Sequence, residues 1–174
     1  SPPGRAMLKI IVVFAELERE TIQQRVVDAY MSRSRKGFYM GGRIPYGYKL
    51  EPYTIDGRKT SHYAVIPEEA EVVKLIFAMY AQPQTSYGDI VRYLEEHGIE
   101  NSRSKDGSWD RCRIAEMIKN PVYVKADLDL YRFYKDQGSL LHNAPEDYIG
   151  TFGCYLYSEK GAGRKQCHLE GQHV

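Results

Sequence analysis

Side chains that could act as nucleophiles are abundant in this sequence, but none stands in a catalytic pattern. The serines lie at helix caps and in loops, without the Gly-x-Ser-x-Gly turn that exposes a nucleophilic serine. The 15 tyrosines offer a second pool, and a tyrosine that attacks DNA would also need a His-x-x-Arg box. A residue other than Arg stands three positions after each of His62, His97, His142 and His168. No catalytic residue is therefore predicted within this chain.

Residues that bind metals are too sparse to predict a metal site. The three cysteines, Cys112, Cys154 and Cys167, make an odd number and include no Cys-x-x-Cys pair. This pattern indicates neither a disulfide framework nor a zinc ribbon. The sequence also lacks a phosphate-binding loop, so we predict that the chain uses no metal and no cofactor.

Charge is distributed unevenly along the chain, although the net charge is only +1. Residues 1–50 contain nine Lys and Arg against four Asp and Glu, whereas residues 51–100 contain four against nine. Residues 101–125 are basic again, with six against three. Two basic zones suit a nucleic-acid partner, because phosphate contacts supply most of the affinity. No apolar run reaches the length of a membrane span, so no membrane partner is predicted.

The first basic zone coincides with a predicted helix of about 30 residues that changes character along its length. Nearly every face of residues 7–17 is apolar, which requires packing on more than one side. From Gln23 onward the helix is polar and basic, and Lys36-Gly37 is a typical stop signal. At about 45 Å such a helix is too long for one small core. We expect it to bridge domains or subunits and to reach an acidic partner.

An extended segment and a hairpin are predicted after this helix. Residues 38–50 have paired glycines, a proline and four aromatic residues but no helical period, which predicts a basic linker. Tyr46–Leu50 and His62–Ile66 are rich in β-forming residues, and Asp56-Gly57 between them predicts a hairpin with a loose turn. The small, cationic stretch Gly42–Pro45 suits a DNA minor groove, and a solvated linker explains it equally well.

Three further helices are predicted between residues 67 and 120. The first begins at Pro67, and the second is capped by Ser86 with Asp89 three residues on. The third begins at Ser108 and ends before Asn120-Pro121. Its apolar face is expected to comprise Trp109, Cys112, Ala115 and Ile118. Together the elements predict an α+β fold that is mainly helical, with a long N-terminal helix and a small three-helix, winged-helix-like domain with a β-hairpin.

The last of these helices has features of a DNA recognition helix. It carries Arg111 and Arg113 near its start and Lys119 at its end, and the preceding loop carries Arg103 and Lys105. A helix that buries one face and aims its N-terminal arginines outward is suited to a major groove. An ordinary amphipathic surface helix explains the same pattern, and the preceding loop is longer than a helix-turn-helix turn.

Two blocks of the sequence together resemble the serine recombinases, the resolvase and invertase family. The long final helix of that family's catalytic domain is similar to Gly4-Arg5-Ala6-Met7-Leu8, Phe14-Ala15-Glu16-Leu17-Glu18-Arg19-Glu20 and Ile22 with Arg25. The recombinase domain of the large serine recombinases resembles Gly41-Gly42, Pro45-Tyr46-Gly47-Tyr48, Ile66-Pro67-Glu68-Glu69-Ala70, Trp109 and Asn120-Pro121-Val122-Tyr123. The two blocks occur in the family's order and cover residues 4–125.

The resemblance implies an enzyme of mobile elements, bacterial or phage in origin and cytoplasmic, that exchanges DNA strands. In that family a serine attacks the phosphodiester and forms a 5′-phosphoserine link. Two dimers join two attachment sites in a tetramer, and no metal or cofactor is required. The nucleophile belongs to an N-terminal domain that would precede Ser1. The resemblance therefore implies that the parent protein is a recombinase, whereas this fragment binds its site without cutting it.

The resemblance also assigns roles to individual residues. The dimerisation and synapsis helix of the family matches Leu8, Ile11, Val12 and Ala15. Arg19 and Arg25 match arginines close to the catalytic pocket, and Gln24 departs from the Glu that is common there. The predicted DNA contacts are Arg33, Arg35, Lys36, Arg43, Tyr46, Tyr48, Lys49, Arg103, Lys105, Arg111, Arg113 and Lys119.

We predict four parts in this chain. They are a dimerisation and DNA-reaching helix (1–37), an extended basic linker (38–50), the recombinase DNA-binding domain (51–125) and an irregular lead-in to a zinc-ribbon and coiled-coil region (126–174). Within the lead-in, Asp127–Lys135 suits a short helix and Tyr155–Tyr157 a lone strand. Two other functions fit the same residues. One is a stand-alone winged-helix regulator with a dimerisation helix, which the gene sequence upstream of Ser1 would distinguish. The other is a structural module that docks a protein partner and has no salt-dependent affinity for DNA.

Overall fold

A computed structural model describes residues 2–158 and 165–172, and the chain divides into two units. The first unit, Ser1–Phe38, contains the long helix α1 (Pro2–Arg35). Gly37 takes a φ of 79°, a value that favours glycine, and the N–H of Phe38 donates to the carbonyl of Arg33 at 3.1 Å. This arrangement closes the helix. The prediction of one long helix that stops at Lys36-Gly37 is confirmed to within one residue.

The second unit, Tyr39–Val174, begins with the linker and a hairpin of β1 (Tyr48–Ile55) and β2 (Arg58–Val65). The two strands are antiparallel and remain paired up to Ile55 and Arg58, so only Asp56 and Gly57 form the turn. Both turn residues have positive φ angles, 50° and 72°, which match the twist of a tight two-residue hairpin. The predicted hairpin is confirmed, but its strands are longer and its turn tighter than expected.

Three helices follow the hairpin, as predicted. They are α2 (Pro67–Tyr80), α3 (Tyr87–Glu96) and α4 (Arg111–Lys119). Ser86 and Asp89 form a reciprocal capping box at the start of α3, as their spacing predicted. The start of α4 was predicted wrongly, because the side chain of Asp110 accepts from the N–H of Arg113 and caps the helix two residues after Ser108.

The buried face of α4 also differs from the prediction. Ile114 and Met117 are the buried residues of the helix, whereas Cys112 is exposed. Trp109 is buried, but it precedes the helix and its indole N–H donates to the carbonyl of Ile99 at 2.9 Å. The buried face of α4 is therefore centred on Ile114 and Met117 and excludes Cys112.

One main core holds the hairpin and the three helices together. Its buried residues come from both strands, all three helices, the 3-10 turn Pro121–Tyr123 and a later strand. They are Tyr48, Tyr63, Val73, Ile76, Ile90, Leu94, Trp109, Ile114, Met117, Val122, Tyr123 and Tyr155. The mixed α+β architecture, mainly helical and with a long N-terminal helix, is confirmed.

The prediction that residues 126–174 form an irregular lead-in is wrong for the described part of that segment; residues 159–164 and 173–174 lie outside it. Helix α5 (Leu128–Asp136) is followed by the strands β3 (Leu140–Leu141), β4 (Phe152–Ser158) and β5 (Lys165–Gln172). The strand order is β3-β5-β4, with β3 parallel and β4 antiparallel to β5. The sequence had indicated a short helix at Asp127–Lys135 and a lone strand at Tyr155–Tyr157, which coincide with α5 and β4, but not the pairing of three strands.

This second sheet is joined to the main core and has a small core of its own. Gly153 of β4 approaches the carbonyl of Val122 so closely that a Cβ there would lie 2.1 Å from the oxygen. A disulfide joins Cys154 of β4 to Cys167 of β5, with their Cα atoms 6.2 Å apart, although the sequence had indicated no disulfide. Together with Tyr134 of α5 these cysteines form the second buried cluster.

Candidate nucleic-acid interface

The linker, residues 39–47, is attached along its backbone by side chains that are distant in sequence. The hydroxyl of Tyr155 on β4 donates to the carbonyl of Gly41 at 2.5 Å. The hydroxyl of Tyr123 donates to the carbonyl of Tyr46 at 2.6 Å. The segment is extended and without helix, as its sequence predicted, but these bonds fix its path on the domain.

Arg103 makes the most extensive of these attachments. Its guanidinium donates to the carbonyls of Ile44 and Pro45, both at 2.9 Å, and to that of Tyr48 at 2.5 Å. The remaining donors face Glu69, with Nη2 2.6 Å and Nε 3.3 Å from its carboxylate oxygens. A guanidinium has five N–H donors, and all five are used here. All five donors are thus satisfied within the protein, so Arg103 supports the linker, and its contact with DNA stays a prediction.

Glu69 is the acidic partner that holds Arg103 in place. Burial alone would raise the pKa of Glu69, but hydrogen bonds from Arg103, from the hydroxyl of Ser102 and from the N–H of Gly47 outweigh it. The net result is a pKa below the ordinary value of 4.5. The carboxylate is thus ionised at neutral pH and binds both the loop and the linker.

The loop before α4 is folded tightly around its own polar side chains. Asn101 is 2% exposed, and its side-chain oxygen accepts from the N–H of Arg103 at 3.0 Å. The hydroxyls of Ser104 and Ser108 donate to one carboxylate oxygen of Asp106, at 2.5 and 2.7 Å. These bonds hold the pKa of Asp106 well below its usual range. The loop therefore presents Arg103 to the linker in one defined position.

The two tyrosines that were predicted to contact DNA, Tyr46 and Tyr48, differ in their burial. Tyr48 is fully buried, and its hydroxyl donates to the carbonyl of Val122 at 3.2 Å, so the prediction that Tyr48 contacts DNA is wrong. Tyr46 is half-buried, with its ring 5.0 Å from that of Trp109 and the Arg103 guanidinium 5.4 Å from its centroid. Tyr46 keeps a partly exposed surface, whereas Tyr48 keeps none.

A groove of about 220 Å³ separates the linker from α4. Arg43 of the linker and Arg113 of α4 both line it, so the structure brings together cations that are 70 positions apart in the sequence. Glu116 and the ring of Trp109 contribute to its walls. Arg113 also pairs with Asp110 at 3.1 Å and is one-third exposed, whereas Arg43 is exposed.

Most of the other predicted cations of this unit remain on the surface. Arg111 and Lys119, at the two ends of α4, and Lys105 in the loop before it are exposed. Lys49 is exposed too, but it pairs with Glu51 on the same strand at 3.0 Å. These side chains are available to a polyanion, and Lys49 would first have to leave its partner.

The residues of α1 that were predicted to contact DNA or a second subunit lie on the surface of the first unit. The basic residues predicted to reach DNA or the catalytic pocket are all exposed: Arg19, Arg25, Arg33, Arg35 and Lys36. The residues predicted for dimerisation are exposed as well: Leu8, Ile11, Val12 and Ala15. The guanidinium of Arg33 lies 5.3 Å from the ring centroid of Phe38. Large apolar side chains on the surface of a helix favour an interaction partner.

Sequence reasoning missed the residues that hold the linker. Glu69 and Tyr123 were named only within the block that resembles the recombinase domain, and Tyr155 was not assigned any role in holding the linker. Tyr155–Tyr157 was interpreted as a lone strand, and the alternation Cys154-Tyr155-Leu156-Tyr157 is typical of a strand with one aromatic face. Within the described ranges, no three His, Cys, Asp or Glu side chains are grouped so as to hold a metal ion. None of the described helices is long and apolar enough to cross a membrane.

Comparison with known proteins identifies the class of this chain. The sequence profile of the recombinase family matches residues 67–173, which is more than half of the chain and includes α2 to β5. The chain therefore belongs to the recombinase family.

One curated protein is also similar to this chain. A protein of Bacillus subtilis (strain 168) named "Putative DNA recombinase" is 23% identical over 145 residues, which cover 80% of this chain and 27% of that protein. The chain thus spans about a quarter of the length of this relative. No solved structure matches the chain significantly.

Proposed function

We propose that this chain is the DNA-binding part of a site-specific serine recombinase that cuts and rejoins DNA through a 5′-phosphoserine intermediate. The carrying observation is the groove in which Arg43 of the fixed linker and Arg113 of α4 lie together. Membership of the recombinase family supports a function in DNA recombination. The serine nucleophile would belong to a domain N-terminal to this segment, so the fragment binds its site half and does not cut it.

The proposal assigns two kinds of DNA contact. Arg43, Lys105 and Lys119 are exposed cations that suit phosphates, which fix the position of a protein on the duplex. Arg111 and Arg113, in the first turn of α4, suit base edges in the major groove. The linker would lie along the adjacent minor groove, and the basic end of α1 would supply Arg33, Arg35 and Lys36 to the backbone.

The proposed recombinase would assemble through α1 and act on DNA in the cytoplasm. The apolar half of α1, with Leu8, Ile11, Val12 and Ala15 exposed, supports a dimer whose pairing brings two attachment sites together in a tetramer. Arg19 and Arg25 would lie near the catalytic pocket of the parent enzyme. The protein would act on cytoplasmic DNA of bacterial or phage origin. A stand-alone winged-helix regulator would bind DNA through the same groove, but its full-length form would never cleave it.

The DNA-binding proposal is tested by titrating Arg43→Ala into a labelled mixed-sequence duplex at several salt concentrations. Loss of one phosphate contact should weaken binding to every sequence and reduce the slope of log K against log salt by about one. Arg132→Ala removes the same charge from α5, where the side chain is 71% exposed, and serves as the control. If Arg43→Ala and the wild type have equal affinities and equal salt slopes, Arg43 does not contact DNA.

The recombinase mechanism needs a separate test on the full-length protein. Cleavage of its own attachment site should require the nucleophilic serine of the N-terminal domain. A denaturing gel should show the protein covalently attached to a 5′ end of the cleaved DNA. A full-length protein that cleaves equally well after that serine is changed to Ala would contradict the mechanism.

A further inference from the structure

The carbonyl groups of the linker point into the domain, where side chains bind them. The hydroxyl of Tyr155 holds the carbonyl of Gly41 at 2.5 Å, and the hydroxyl of Tyr39 holds that of Gly42 at 2.9 Å. No cis peptide bond occurs in the described residues. In a trans peptide unit the N–H points opposite to the C=O. The N–H groups of Gly42 and Arg43 therefore point away from the hydroxyls that hold their units.

These two N–H groups lie on an exposed stretch of backbone. Gly42 and Arg43 are exposed, and neither N–H has a hydrogen-bond partner among residues 2–158 and 165–172. Gly41 and Gly42 have φ angles of 93° and 106°, and a Cβ at either would meet nothing within 4 Å. Glycine is thus required by the backbone conformation and not by crowding. The outer edge of the linker is open to a ligand that accepts hydrogen bonds.

We propose that the N–H groups of Gly42 and Arg43, together with the Arg43 guanidinium, form a preformed site for a DNA backbone phosphate, and that the Tyr155 hydroxyl is the residue that positions it. The inference rests on the proposed DNA binding and adds the ligand atoms and the device that orients the donors. Backbone N–H groups are regular donors to DNA phosphates. A phosphate oxygen accepts from both an N–H and a guanidinium, and charge-assisted bonds of this kind are the stronger ones.

Positioning by Tyr155 has an energetic reason. A linker with two glycines at positive φ has many alternative conformations when it is free, and ordering each residue costs backbone entropy. A linker that is already ordered in the free protein does not lose that entropy when DNA binds. The Tyr155 ring lies in the main core, with its centroid 5.6 Å from that of Tyr63, so the hydroxyl is held by a rigid support. The second sheet thereby takes part in DNA binding without touching DNA.

The test is a double-mutant cycle on this chain with a fluorescein-labelled mixed-sequence duplex at low salt. Tyr155→Phe keeps the ring and removes only the hydroxyl, and we expect it to weaken binding by about three- to tenfold, the range for one hydrogen bond. Tyr157→Phe is the matched control, since its ring stacks on Tyr155 at 5.0 Å but its hydroxyl faces Gln166 and not the linker. In the Arg43→Ala background, where only the two N–H groups remain to bind the phosphate, Tyr155→Phe should lose part of its effect, which a purely structural role would not produce.

A second measurement does not depend on any variant. In an NMR titration of the wild-type chain with the same duplex, the amide signals of Gly42 and Arg43 should shift downfield, because both become hydrogen-bond donors. Unchanged amide shifts, or additive effects of Tyr155→Phe and Arg43→Ala, would overturn the phosphate site while salt-dependent binding of the wild type still supports the proposed function. A wild-type chain without salt-dependent binding would overturn both.

Discussion

Glu69 and Arg103 form an ion pair that joins α2, the loop before α4 and the linker, with Nη2 2.6 Å from Oε2 and side chains only 12% and 27% exposed. The same guanidinium binds three carbonyls of the chain between residues 44 and 48. The pair therefore determines where the linker leaves the domain. The contribution of the ion pair should appear both in the free energy of unfolding and in the pH dependence of that free energy.

Replacement of Glu69 by Gln should lower the free energy of unfolding by roughly 1–3 kcal/mol, because it leaves the Arg103 charge partly buried without its partner. The pKa of Glu69 is lowered in the folded state, so its stabilising contribution is full above the ordinary value of 4.5 and is lost as pH falls through the folded pKa. Urea denaturation between neutral and acid pH measures both effects. The exposed neighbour Glu68→Gln is the control, and equal curves for the two variants would contradict the role of Glu69.

The helix position of Glu69 could be predicted from the sequence, but its ion-pair partner could not. Pro67 correctly predicted the start of α2, because the preference of proline for the first turn of a helix is a local effect. The partner of Glu69 lies 34 positions away, and no local pattern specifies such a pair. The same limit explains why the burial of Tyr48 and the partners of Arg103 were not predicted, since the residue types alone suggest DNA contact.

Tyr48→Phe should reduce stability without affecting DNA affinity. The hydroxyl of this fully buried residue donates to the carbonyl of Val122 at 3.2 Å, and its loss should cost about 0.5–1.5 kcal/mol.

Arg111→Ala should affect DNA recognition and leave stability unchanged. It should leave the melting temperature nearly unchanged and reduce discrimination between attachment-site and unrelated DNA by about 1–3 kcal/mol. Thermal denaturation and competition binding measure the pair, and weakened DNA binding by a stably folded Tyr48→Phe would show that the prediction is wrong.

Gly153→Ala should be strongly destabilising, although β4 was not expected to belong to the core. A Cβ at this position would lie 2.1 Å from the Val122 carbonyl oxygen, so the backbone of β4 or of the 3-10 turn must shift. Overpacking of this kind costs roughly 1–3 kcal/mol or more. Thr151→Ala, an exposed position two residues earlier, is the control. If chemical denaturation finds both variants as stable as the wild type, β4 does not pack on this turn in solution.

The second sheet illustrates why long-range packing was not predictable. Local signals gave every element up to residue 120, because caps, turn residues and helical periodicity each act within a few positions. Strands β3, β4 and β5 are stabilised by pairing with one another and by Gly153 against Val122, which are contacts between distant positions. A glycine in a short apolar stretch cannot reveal by itself which backbone it approaches.

The apolar half of α1 should drive association with a second copy of the chain. Leu8 and Ile11 are 64% and 56% exposed and lie one turn apart, so both can be buried when two such helices pack. Burial of a Leu or Ile side chain stabilises by about 1.5–3 kcal/mol, so the double variant Leu8→Glu and Ile11→Glu should weaken dimerisation by roughly tenfold or more. Sedimentation equilibrium over a range of concentrations measures the dissociation constant. Gln23→Glu with Ser32→Glu adds the same charge to the polar half and should leave it nearly unchanged, whereas a wild-type chain that stays monomeric throughout would show that this surface has another partner.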